Sequence, residues 1–478
     1  MELSFETGAI SPLPRNHVVL FPFMSKGHTI PLLHLSRLLI LRCISVSFFT
    51  TPANRPFIVD SLSDTTVSII DLPFPEKVNG IPAGVESTDG LPSMSLFHSF
   101  AMATVIMKPD FDRALKNLNP PPSFIVSDGF LWWTLDSASE MGLPRFVSYG
   151  MSSYAQVLVR VSIQYGLVHG VQNDEPITIP PFPWIKIRKD DIPKFSDMPG
   201  NSSELEFSAK TIDATSRSFG LIVNSFYDIE STYVDYFNHK CRPKAWCIGP
   251  LCLASPLKNT DPVNKSTIIR WLDQKRDEEE GSVLYVAFGS QAEMSSQQLK
   301  EIAIGLEESE VNFLWVLRKR EKNERDSNEF LYDGFENRVK NRGMVVRDWV
   351  DQREILSHDS VQGFLSHCGW NAVIESICAG VPILVLPMTA DQPLNAKMVV
   401  EEMKVGLRIE TCDGYAKGFV KSQGLKNKVK ELMEGETGKE VGKNVKEVAV
   451  IARKAMEEGG SSWQAFDSLI DEAFNYIS

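Results

Sequence analysis

The stretch GFLSHCGWNAVIESICAGVPILVLP, residues 363–387, decides the fold of this chain. An apolar run ends in the turn His-Cys-Gly-Trp-Asn, a short helical segment follows, and Gly-Val-Pro opens a second apolar run. Short apolar runs separated by helical segments predict parallel strands covered by helices on both faces. The turn then lies at the carboxyl end of a strand, which is where sheets of this kind bind their ligands.

The same alternation extends outward through both halves of the chain. Apolar runs such as HVVLFPF, SFIVSD and PRFVSYG alternate with helical segments in the first half, and SVLYVAFGS, FLWVLR and GMVVRD do so in the second. We therefore expect an α/β protein of two similar domains with a cleft between them. The proline-rich residues 170–200 lack periodicity and are predicted to form an ordered loop that shapes a pocket. The predicted boundaries are an N-terminal domain over 1–253, a polar linker over 254–266, a C-terminal domain over 267–460, and a last helix over 461–478 that packs back on the N-terminal domain.

The composition is that of a globular protein that does not bind nucleic acid. The 478 residues are too many for one ordinary core, and the net charge of -12 leaves no basic footprint. No apolar run reaches the ~18 residues of a membrane span, and the acidic start of the chain does not resemble a secretory signal. Seven cysteines, an odd number, favour reduced thiols. We expect a cytoplasmic monomer with no transmembrane segment.

The turn at residues 367–371 has the features of an anion site. A helix that begins near Asn371 offers unpaired backbone N–H groups, and Gly369 lets the backbone approach a ligand closely. Asn371 taken alone is equally an ordinary N-cap, and His367 is equally a packed side chain at a strand end. Glu375 stands one position beyond that of a capping box, which frees it to contact something other than the cap.

The spacing of the surrounding residues gives the stronger signal. Residues 349–392 form a segment of 44 residues that holds an aromatic ring, a helix N-terminus, an acid and an Asp-Gln pair. This segment resembles the signature box of plant family-1 UDP-glycosyltransferases, and about thirty of its positions match that box. The remainder of the chain fits the family in order and length. The resemblance implies two Rossmann-like domains facing across a cleft, the GT-B type, and a UDP-sugar as co-substrate.

The resemblance also assigns roles to the residues of this box. Trp349 would stack on uracil with Val350 and Gln352 beside it, and Glu375 would bind the ribose hydroxyls. The implied pyrophosphate contacts are His367, Gly369, Asn371, the backbone of Ala372, and Ser290 in the turn after YVAF. The implied sugar contacts are Trp370, Asp391 and Gln392, and a final Gln in this box is associated with glucose.

Two positions depart from the pattern of the family. Ala372 stands where serine is usual, so one hydroxyl to phosphate is missing, and such a loss costs ~1.5–3 kcal/mol if nothing compensates. Asp351 stands where proline is usual, which is expected to change the stiffness of the loop and to place an acid near an anionic ligand. Both changes leave glucose, xylose, rhamnose and galactose open as the transferred sugar.

A second motif, FPFMSKGHTIPLL, begins at the end of the first predicted strand and leads into a helix predicted over Pro31 to Cys43, with the proline in its first turn. His28 has a pKa suited to a base, although a histidine at a helix start is often only a polar residue there. Its Gly-His-x-x-Pro setting resembles the catalytic base of the family, with Asp128 at the end of FIVSD as its partner. The implied reaction is a single displacement with inversion at the anomeric carbon, in which the helix N-terminus stabilises the leaving UDP without a metal.

Metal binding is not expected elsewhere in the sequence either. Asp110 and Asp112 match the Asp-x-Asp of metal-dependent transferases but lie in a charged helical segment. His239 and the three cysteines that follow it lack the spacing of a zinc site.

The acceptor is expected to bind in the N-terminal domain and to be a small hydrophobic alcohol, phenol or acid. Aromatic side chains and methionines there are more often core residues than ligand contacts. The candidates are Met24, Phe97, Phe130 and Trp132. A nucleotide-sugar hydrolase or epimerase and a non-catalytic UDP-sugar binder remain as rival functions.

Overall fold

The computed structural model describes residues 16–168, 172, 175–193, 202–255, 265–278, 281–291, 293–317 and 334–476. Most of the predicted linker and part of the proline-rich segment therefore lie outside the described residues.

The N-terminal domain is built on a seven-stranded parallel sheet. Its strand order is β3-β2-β1-β4-β5-β8-β9. Successive strands are added on one side of β1 up to β3 and on the other side from β4 onward, so the order changes direction between β1 and β4. The strands are β1 His17–Phe21, β2 Ser45–Thr50, β3 Ser68–Asp71, β4 Phe124–Asp128, β5 Arg145–Tyr149, β8 Gly220–Val223 and β9 Lys244–Cys247. Between β5 and β8 the chain forms a separate antiparallel hairpin of β6 Ile177–Ile179 and β7 Phe182–Ile187.

The C-terminal domain repeats the design with six parallel strands in the order β12-β11-β10-β13-β14-β15. The strands are β10 Val283–Ala287, β11 Asn312–Val316, β12 Gly343–Val346, β13 Val361–Ser366, β14 Ile383–Val385 and β15 Gly406–Arg408. The stretch quoted first thus supplies β13, the following helix and β14, which pair in parallel as expected. Two such sheets confirm the prediction of a two-domain α/β protein.

Helices cover both faces of each sheet. In the N-terminal domain they are Lys26–Leu41, Arg55–Leu62, Phe97–Ala103, Lys108–Lys116, Thr134–Glu140, Ser153–Gln164, Ser202–Arg217 and Tyr227–Lys240. In the C-terminal domain they are Thr267–Arg276, Ser296–Ser309, Glu336–Val339, Gln352–Leu356, Trp370–Ala379, Gln392–Lys397, Ser422–Glu434 and Glu436–Met456. The last helix is Ser461–Asn475.

The strands form because short runs of β-branched and aromatic residues are buried on both faces of a parallel sheet. In β1 every residue from Val18 to Phe21 is fully buried, and in β10 every residue is buried. The carboxyl ends of β1, β4 and β5 in one domain, and of β10, β13 and β14 in the other, carry the residues discussed below.

The proline-rich segment differs from its prediction. Its described part is the β6–β7 hairpin, in which buried Ile177 and Ile179 flank exposed Thr178. Phe182 packs on Tyr233 and Tyr236, with ring centroids 5.2 and 5.1 Å apart. The alternation Ile-Thr-Ile is the signal of a strand that the prolines obscured, because a proline is tolerated in a two-stranded edge. These contacts are with a helix of the N-terminal sheet, not with a ligand pocket.

The last helix packs against the N-terminal domain. Its buried side chains Phe466 and Leu469 join the core formed by the first helix and β9. Phe474 contacts Phe124 with ring centroids 5.7 Å apart, and Ser462 donates a hydrogen bond to the carbonyl of Gly249. The chain therefore crosses from the C-terminal domain back to the N-terminal domain at its end.

Within the part of the chain that the structure describes, no helix combines the length and the apolar character needed to cross a membrane.

Candidate active site

The carboxyl ends of the neighbouring strands β1 and β4 bring His28 and Asp128 together. His28 Nδ1 lies 2.6 Å from Asp128 Oδ2, although the two residues are 100 positions apart in sequence. The other carboxylate oxygen, Oδ1, accepts a hydrogen bond of 2.9 Å from the backbone N–H of Phe130. Because Asp128 occupies Nδ1, Nε2 is the nitrogen of the imidazole that remains for a ligand.

The electrostatics of this pair favour a charged imidazole more than solvent does. Burial opposes the charge of His28, but the attraction and hydrogen bond of Asp128, together with the attraction of Asp391, outweigh it. The pKa of His28 is therefore raised above its ordinary value. Asp391 belongs to the C-terminal domain, so the charge state of His28 depends on both domains.

A buried arginine supports Asp128 from within the sheet. Arg145 is 1% exposed, and its Nη2 donates to the backbone carbonyl of Asp128 at 3.1 Å. The guanidinium also donates to the hydroxyls of Ser127, Thr134 and Ser218 at 2.7–2.9 Å. Burial lowers the pKa of Arg145 to about 10, so it stays charged at neutral pH. Nothing in the sequence pattern marked this arginine, because its partners come from three separate elements.

The helix that carries His28 begins earlier than the sequence suggested. It runs from Lys26 to Leu41, so His28 lies in its first turn and Pro31 lies inside it. A proline has no N–H to donate to the carbonyl four residues earlier, which here is the carbonyl of Gly27. That carbonyl instead accepts a hydrogen bond from Asn371 Nδ2 of the C-terminal domain. Pro31 thus leaves the carbonyl of Gly27, beside His28, available for a hydrogen bond between the two domains.

The turn after β13 differs in detail from the expectation that Asn371 is an N-cap. Gly369 is the N-cap, and the helix begins at Trp370. Asn371 lies inside the first turn, and its Oδ1 accepts a hydrogen bond of 3.1 Å from Asn224 Nδ2. Cys368 has a φ of 64°, the left-handed region, which turns the chain sharply from the strand into the helix.

His367 fits tightly between two glycines. A Cβ atom on either Gly289 or Gly369 would stand 2.6 Å from His367 Nε2, so a larger residue at either position would displace the imidazole ring. Burial lowers the pKa of His367 to about 4, and the ring is therefore neutral at physiological pH. Within the described residues His367 Nδ1 is buried without a hydrogen-bond partner. Ser290, next to Gly289, is half-buried in the same turn.

The side chain of Trp370 is buried, so the expectation that it faces a sugar is wrong. Its indole is 1% exposed, packs in the core that spans the two domains, and donates from Nε1 to the carbonyl of Asn224 at 2.9 Å. Asn224 also accepts a hydrogen bond from Leu251 N at 2.8 Å through Oδ1. Asn224 thus fixes both Trp370 and Asn371 at the start of the helix, a role that no motif in the sequence predicted.

The residues expected at a nucleoside lie along the helix Gln352–Leu356 and its neighbour. Gln352 Nε2 donates to Glu375 Oε2 at 2.8 Å. Burial raises the pKa of Glu375 to about 7, although Gln352 and Arg353 oppose the rise and Asp351 adds to it. Asp351 is the N-cap of this helix, since its Oδ1 accepts from Arg353 N at 3.1 Å and from Glu354 N at 3.4 Å. The acid in place of proline therefore orders the loop while it raises the pKa of Glu375.

Trp349 is exposed at the mouth of the same region. Its ring is 60% exposed and contacts Phe57 of the N-terminal domain, with centroids 5.8 Å apart. Val350 is half-buried behind it. An exposed indole that is anchored on one edge leaves a face for a planar ligand.

Asp391 and Gln392 begin the helix that follows β14. Asp391 is 9% exposed, and burial raises its pKa to about 6 against a hydrogen bond from Asn395. Gln392 Oε1 accepts hydrogen bonds from Met388 N and Thr389 N, each 2.9 Å long. These bonds occupy Oε1 and fix the side chain of Gln392. Its amide N–H₂ is then the group that could donate a hydrogen bond to a ligand hydroxyl.

Three of the expected acceptor residues lie near His28. Phe130 and Phe97 pack edge to face at 5.4 Å, and the Phe130 centroid is 5.1 Å from that of His28. Phe207, which the sequence did not single out, closes the group at 5.7 Å from Phe130. Met24 is buried beside them at 3% exposure.

Trp132 lies at the edge of this group and is half-buried. Lys210 Nζ stands 4.7 Å from the centroid of its ring. Within the described residues the indole N–H of Trp132 is buried without a partner.

The two acids of the Asp-x-Asp motif are engaged by cations on the helix Lys108–Lys116. Asp110 pairs with Arg113 at 2.9 Å, and Asp112 pairs with Lys108 at 2.8 Å. Across the described ranges no group of three or more His, Cys, Asp or Glu side chains is placed to hold a metal ion.

Known proteins resemble this chain over almost its whole length. The family model described as "UDP-glucoronosyl and UDP-glucosyl transferase" matches residues 258–453. UDP-glycosyltransferase 90A1 of Arabidopsis thaliana is 55% identical over 96% of both chains. UDP-glycosyltransferase 73C11 of Barbarea vulgaris is 35% identical over 95% of this chain and 96% of its own.

Solved structures agree with these relationships. Glycyrrhiza uralensis UGT73P12, complexed with glycyrrhetinic acid 3-O-monoglucuronide, superposes with a TM-score of 0.85 at 30% identity, over 97% of this chain and 96% of its own. Phytolacca americana UGT2, complexed with UDP-2fluoro-glucose and pterostilbene, superposes with a TM-score of 0.79 at 26% identity, over 96% and 99%. The architecture is thus that of the GT-B glycosyltransferases, as the resemblance of the sequence implied. The chain belongs to the plant family-1 UDP-glycosyltransferases, enzymes that transfer a sugar from a UDP-sugar to a small-molecule acceptor.

Proposed function

We propose that this enzyme transfers glucose from UDP-glucose to a hydroxyl or carboxyl group of a small hydrophobic acceptor, with His28 as the general base. The observation that carries this proposal is the hydrogen-bonded pair of His28 and Asp128. The imidazole ring of His28 packs against Phe130, which belongs to an aromatic group with Phe97 and Phe207. The Phytolacca americana structure holds a fluorinated UDP-glucose and a stilbene, which supports the same pairing of substrates here.

The proposed chemistry is a single displacement. The acceptor hydroxyl gives its proton to His28 Nε2 while its oxygen bonds to the anomeric carbon, and the bond from that carbon to the β-phosphate oxygen breaks. Asp128 holds Nδ1–H and stabilises the imidazolium that forms. Attack opposite the leaving UDP inverts the configuration of the sugar.

The leaving group departs toward the start of the helix Trp370–Ala379. Unpaired N–H groups and the helix dipole stabilise the developing negative charge there. The neutral ring of His367, whose Nδ1 is buried without a partner among the described residues, would hydrogen-bond a phosphate oxygen. We propose that these groups replace a metal ion in this role.

The nucleoside and the sugar would occupy the two ends of the 44-residue box. Exposed Trp349 offers its face to uracil, and Glu375 offers its carboxylate to the ribose hydroxyls. Gln392 presents its amide N–H₂ and Asp391 its carboxylate to the hydroxyls of glucose. Ala372 supplies only its backbone N–H to phosphate.

The test is UDP release from UDP-glucose across a panel of phenols, flavonoids and terpenoid alcohols, with a control that lacks acceptor. We expect release that depends on acceptor, a β-glucoside as product, and the same rate with EDTA as with Mg²⁺. An α-glucoside would overturn the single displacement, and a rate that EDTA abolishes would overturn the metal-free step. Transfer from another UDP-sugar at a higher kcat/KM than from UDP-glucose would overturn the assignment of glucose.

A further inference from the structure

A buried asparagine connects three parts of the site. Asn395 lies in the helix Gln392–Lys397 and is completely buried. Its Nδ2 donates to Asp391 Oδ2 at 2.9 Å and to the carbonyl of Cys368 at 3.0 Å. Its Oδ1 accepts a hydrogen bond of 3.0 Å from Ser152 Oγ of the N-terminal domain. Every polar atom of the side chain is therefore used, which is the condition for a buried amide to hold one orientation.

The serine that meets Asn395 is itself fixed. Ser152 is fully buried and is the N-cap of the helix Ser153–Gln164, where its Oγ accepts from Ala155 N at 3.0 Å. The buried carboxylate of Glu230 accepts from Tyr154 N at 2.7 Å in the same turn. The start of this helix is thus a rigid support from which the N-terminal domain reaches Asn395.

The carbonyl of Cys368 gives the network its second anchor. Cys368 is the left-handed residue that aims the chain into the helix Trp370–Ala379. The two amide hydrogens of Asn395 therefore bind two different groups. One holds the turn at Cys368, on the proposed phosphate side, and the other holds the carboxylate of Asp391, on the proposed sugar side. A shift of either would break a bond that no water can replace in so buried a place.

We propose that Asn395 is a positioning residue, held by Ser152 of the N-terminal domain, which orients Asp391 toward the transferred sugar when the two domains are together. This inference rests on the proposed contact between Asp391 and the sugar. Asn395 itself does not touch the substrate in this arrangement. Through Asn395, the contact of Asp391 in the C-terminal domain with the sugar would depend on the position of Ser152 in the N-terminal domain.

The test compares the affinity for UDP-glucose with the affinity for UDP by calorimetry, without acceptor and without turnover. Asn395→Ala is expected to weaken UDP-glucose by about 10-fold or more, the effect of losing a hydrogen bond to a charged group, and to weaken UDP alone by a smaller factor, because UDP depends only on the turn that Asn395 holds through Cys368. Ser152→Ala is expected to change the ratio of the UDP-glucose affinity to the UDP affinity in the same direction, by a smaller factor. Ser162→Ala is the matched control, because Ser162 is a fully buried serine of the same helix whose hydroxyl has no partner within the described residues.

The outcomes separate this inference from the proposed function. Equal weakening of UDP and UDP-glucose in Asn395→Ala, or no change in Ser152→Ala, would overturn the positioning role. Asp391→Asn is measured beside them, and an unchanged ratio in that variant would overturn the sugar contact on which the inference depends. Absence of glucose transfer together with the expected ratios would overturn the proposed acceptor reaction alone. If Asn395→Ala does not fold, the same ratio in Ser152→Ala decides the result.

Discussion

At the scale of single residues, the site depends on His28 and on the two carboxylates that face it. Asp128 contacts the ring directly, while Asp391 acts across the cleft from the other domain. In the proposed displacement His28 must be neutral when it receives the proton, so we expect these charges to set the pH at which the enzyme works.

Replacement of His28 by alanine should lower kcat by at least ~100-fold, the usual contribution of a general base. The affinity for UDP should stay nearly the same, because the proposed nucleotide site lies on the other domain. Steady-state kinetics and calorimetry with UDP measure both quantities. His239→Ala, an exposed histidine of the helix Tyr227–Lys240, is the control. An equal loss of rate and of UDP affinity would assign His28 a structural role instead.

The acid limb of the pH–rate profile should lie above the ordinary pKa of histidine. The pKa of His28 is raised, so the neutral base is lost as the pH falls through that higher value. In Asp128→Asn the attraction is gone and burial dominates, so the limb should move to lower pH while the maximal rate falls by at least ~100-fold. Profiles of kcat/KM for both proteins measure the shift. A limb that stays in place would show that another group titrates.

At the scale of elements, the helix Trp370–Ala379 is the feature that carries the proposed anion site. It begins at Gly369 without a side-chain cap, and its first turn contains Trp370, Asn371 and Ala372. The indole of Trp370 and the amide of Asn371 are hydrogen-bonded to the N-terminal domain in this structure. The backbone N–H groups of the first turn are therefore the main groups with which this helix would bind a phosphate.

Ala372→Ser tests the departure of this helix from the family pattern. The added hydroxyl should restore a hydrogen bond to phosphate and tighten UDP by about 10-fold, the lower end of the effect of such a bond. Calorimetric titration with UDP measures the change. Ala379→Ser makes the same substitution at the other end of the helix and should leave the affinity as it is. No gain in Ala372→Ser would mean that position 372 does not face the phosphate.

At the scale of the whole molecule, hydrogen bonds and packed side chains join the domains in several places. Gln291 Nε2 donates to Ser25 and Thr88 at 2.8 and 2.6 Å, and Arg188 donates to the carbonyl of Gly414 at 2.6 Å. The last helix adds a core contact, because it leaves the C-terminal domain and is buried against the other one. The proposed base His28 and the proposed phosphate-binding helix Trp370–Ala379 thus lie on separate domains that are held together along the cleft.

Leu469→Ala should therefore destabilise the N-terminal domain. Leu469 is 1% exposed in the last helix, and truncation of a buried leucine costs ~2–5 kcal/mol. Denaturant or thermal unfolding measures the loss. Asp471→Ala, an exposed neighbour on the same helix, should change stability by less than ~0.5 kcal/mol. Equal stability of the two variants would show that the last helix contributes little to the fold.

The sequence allowed more of the fold than of the site to be predicted. Apolar runs marked most strands of both sheets, since burial on both faces needs no knowledge of the partner strand. The short strands β8, β9 and β15 were not predicted. The β6–β7 hairpin was missed because its prolines resemble those of a loop. Pro31 was placed at a helix start, whereas the helix begins five residues earlier and uses the proline to release the carbonyl of Gly27.

The sequence by itself determined the two α/β halves, the 44-residue box and the residue types that suit a UDP-sugar. Periodicity and turn chemistry are local, so they can be read along the chain. Only the tertiary structure decided which atoms meet: that Trp370 is buried between the domains, that Asn371 bonds to Gly27, and that Asn395 lies between Asp391 and Ser152. Ser152 and Asn395 are 243 positions apart, and their contact exists only because two separately folded sheets place their carboxyl ends against each other.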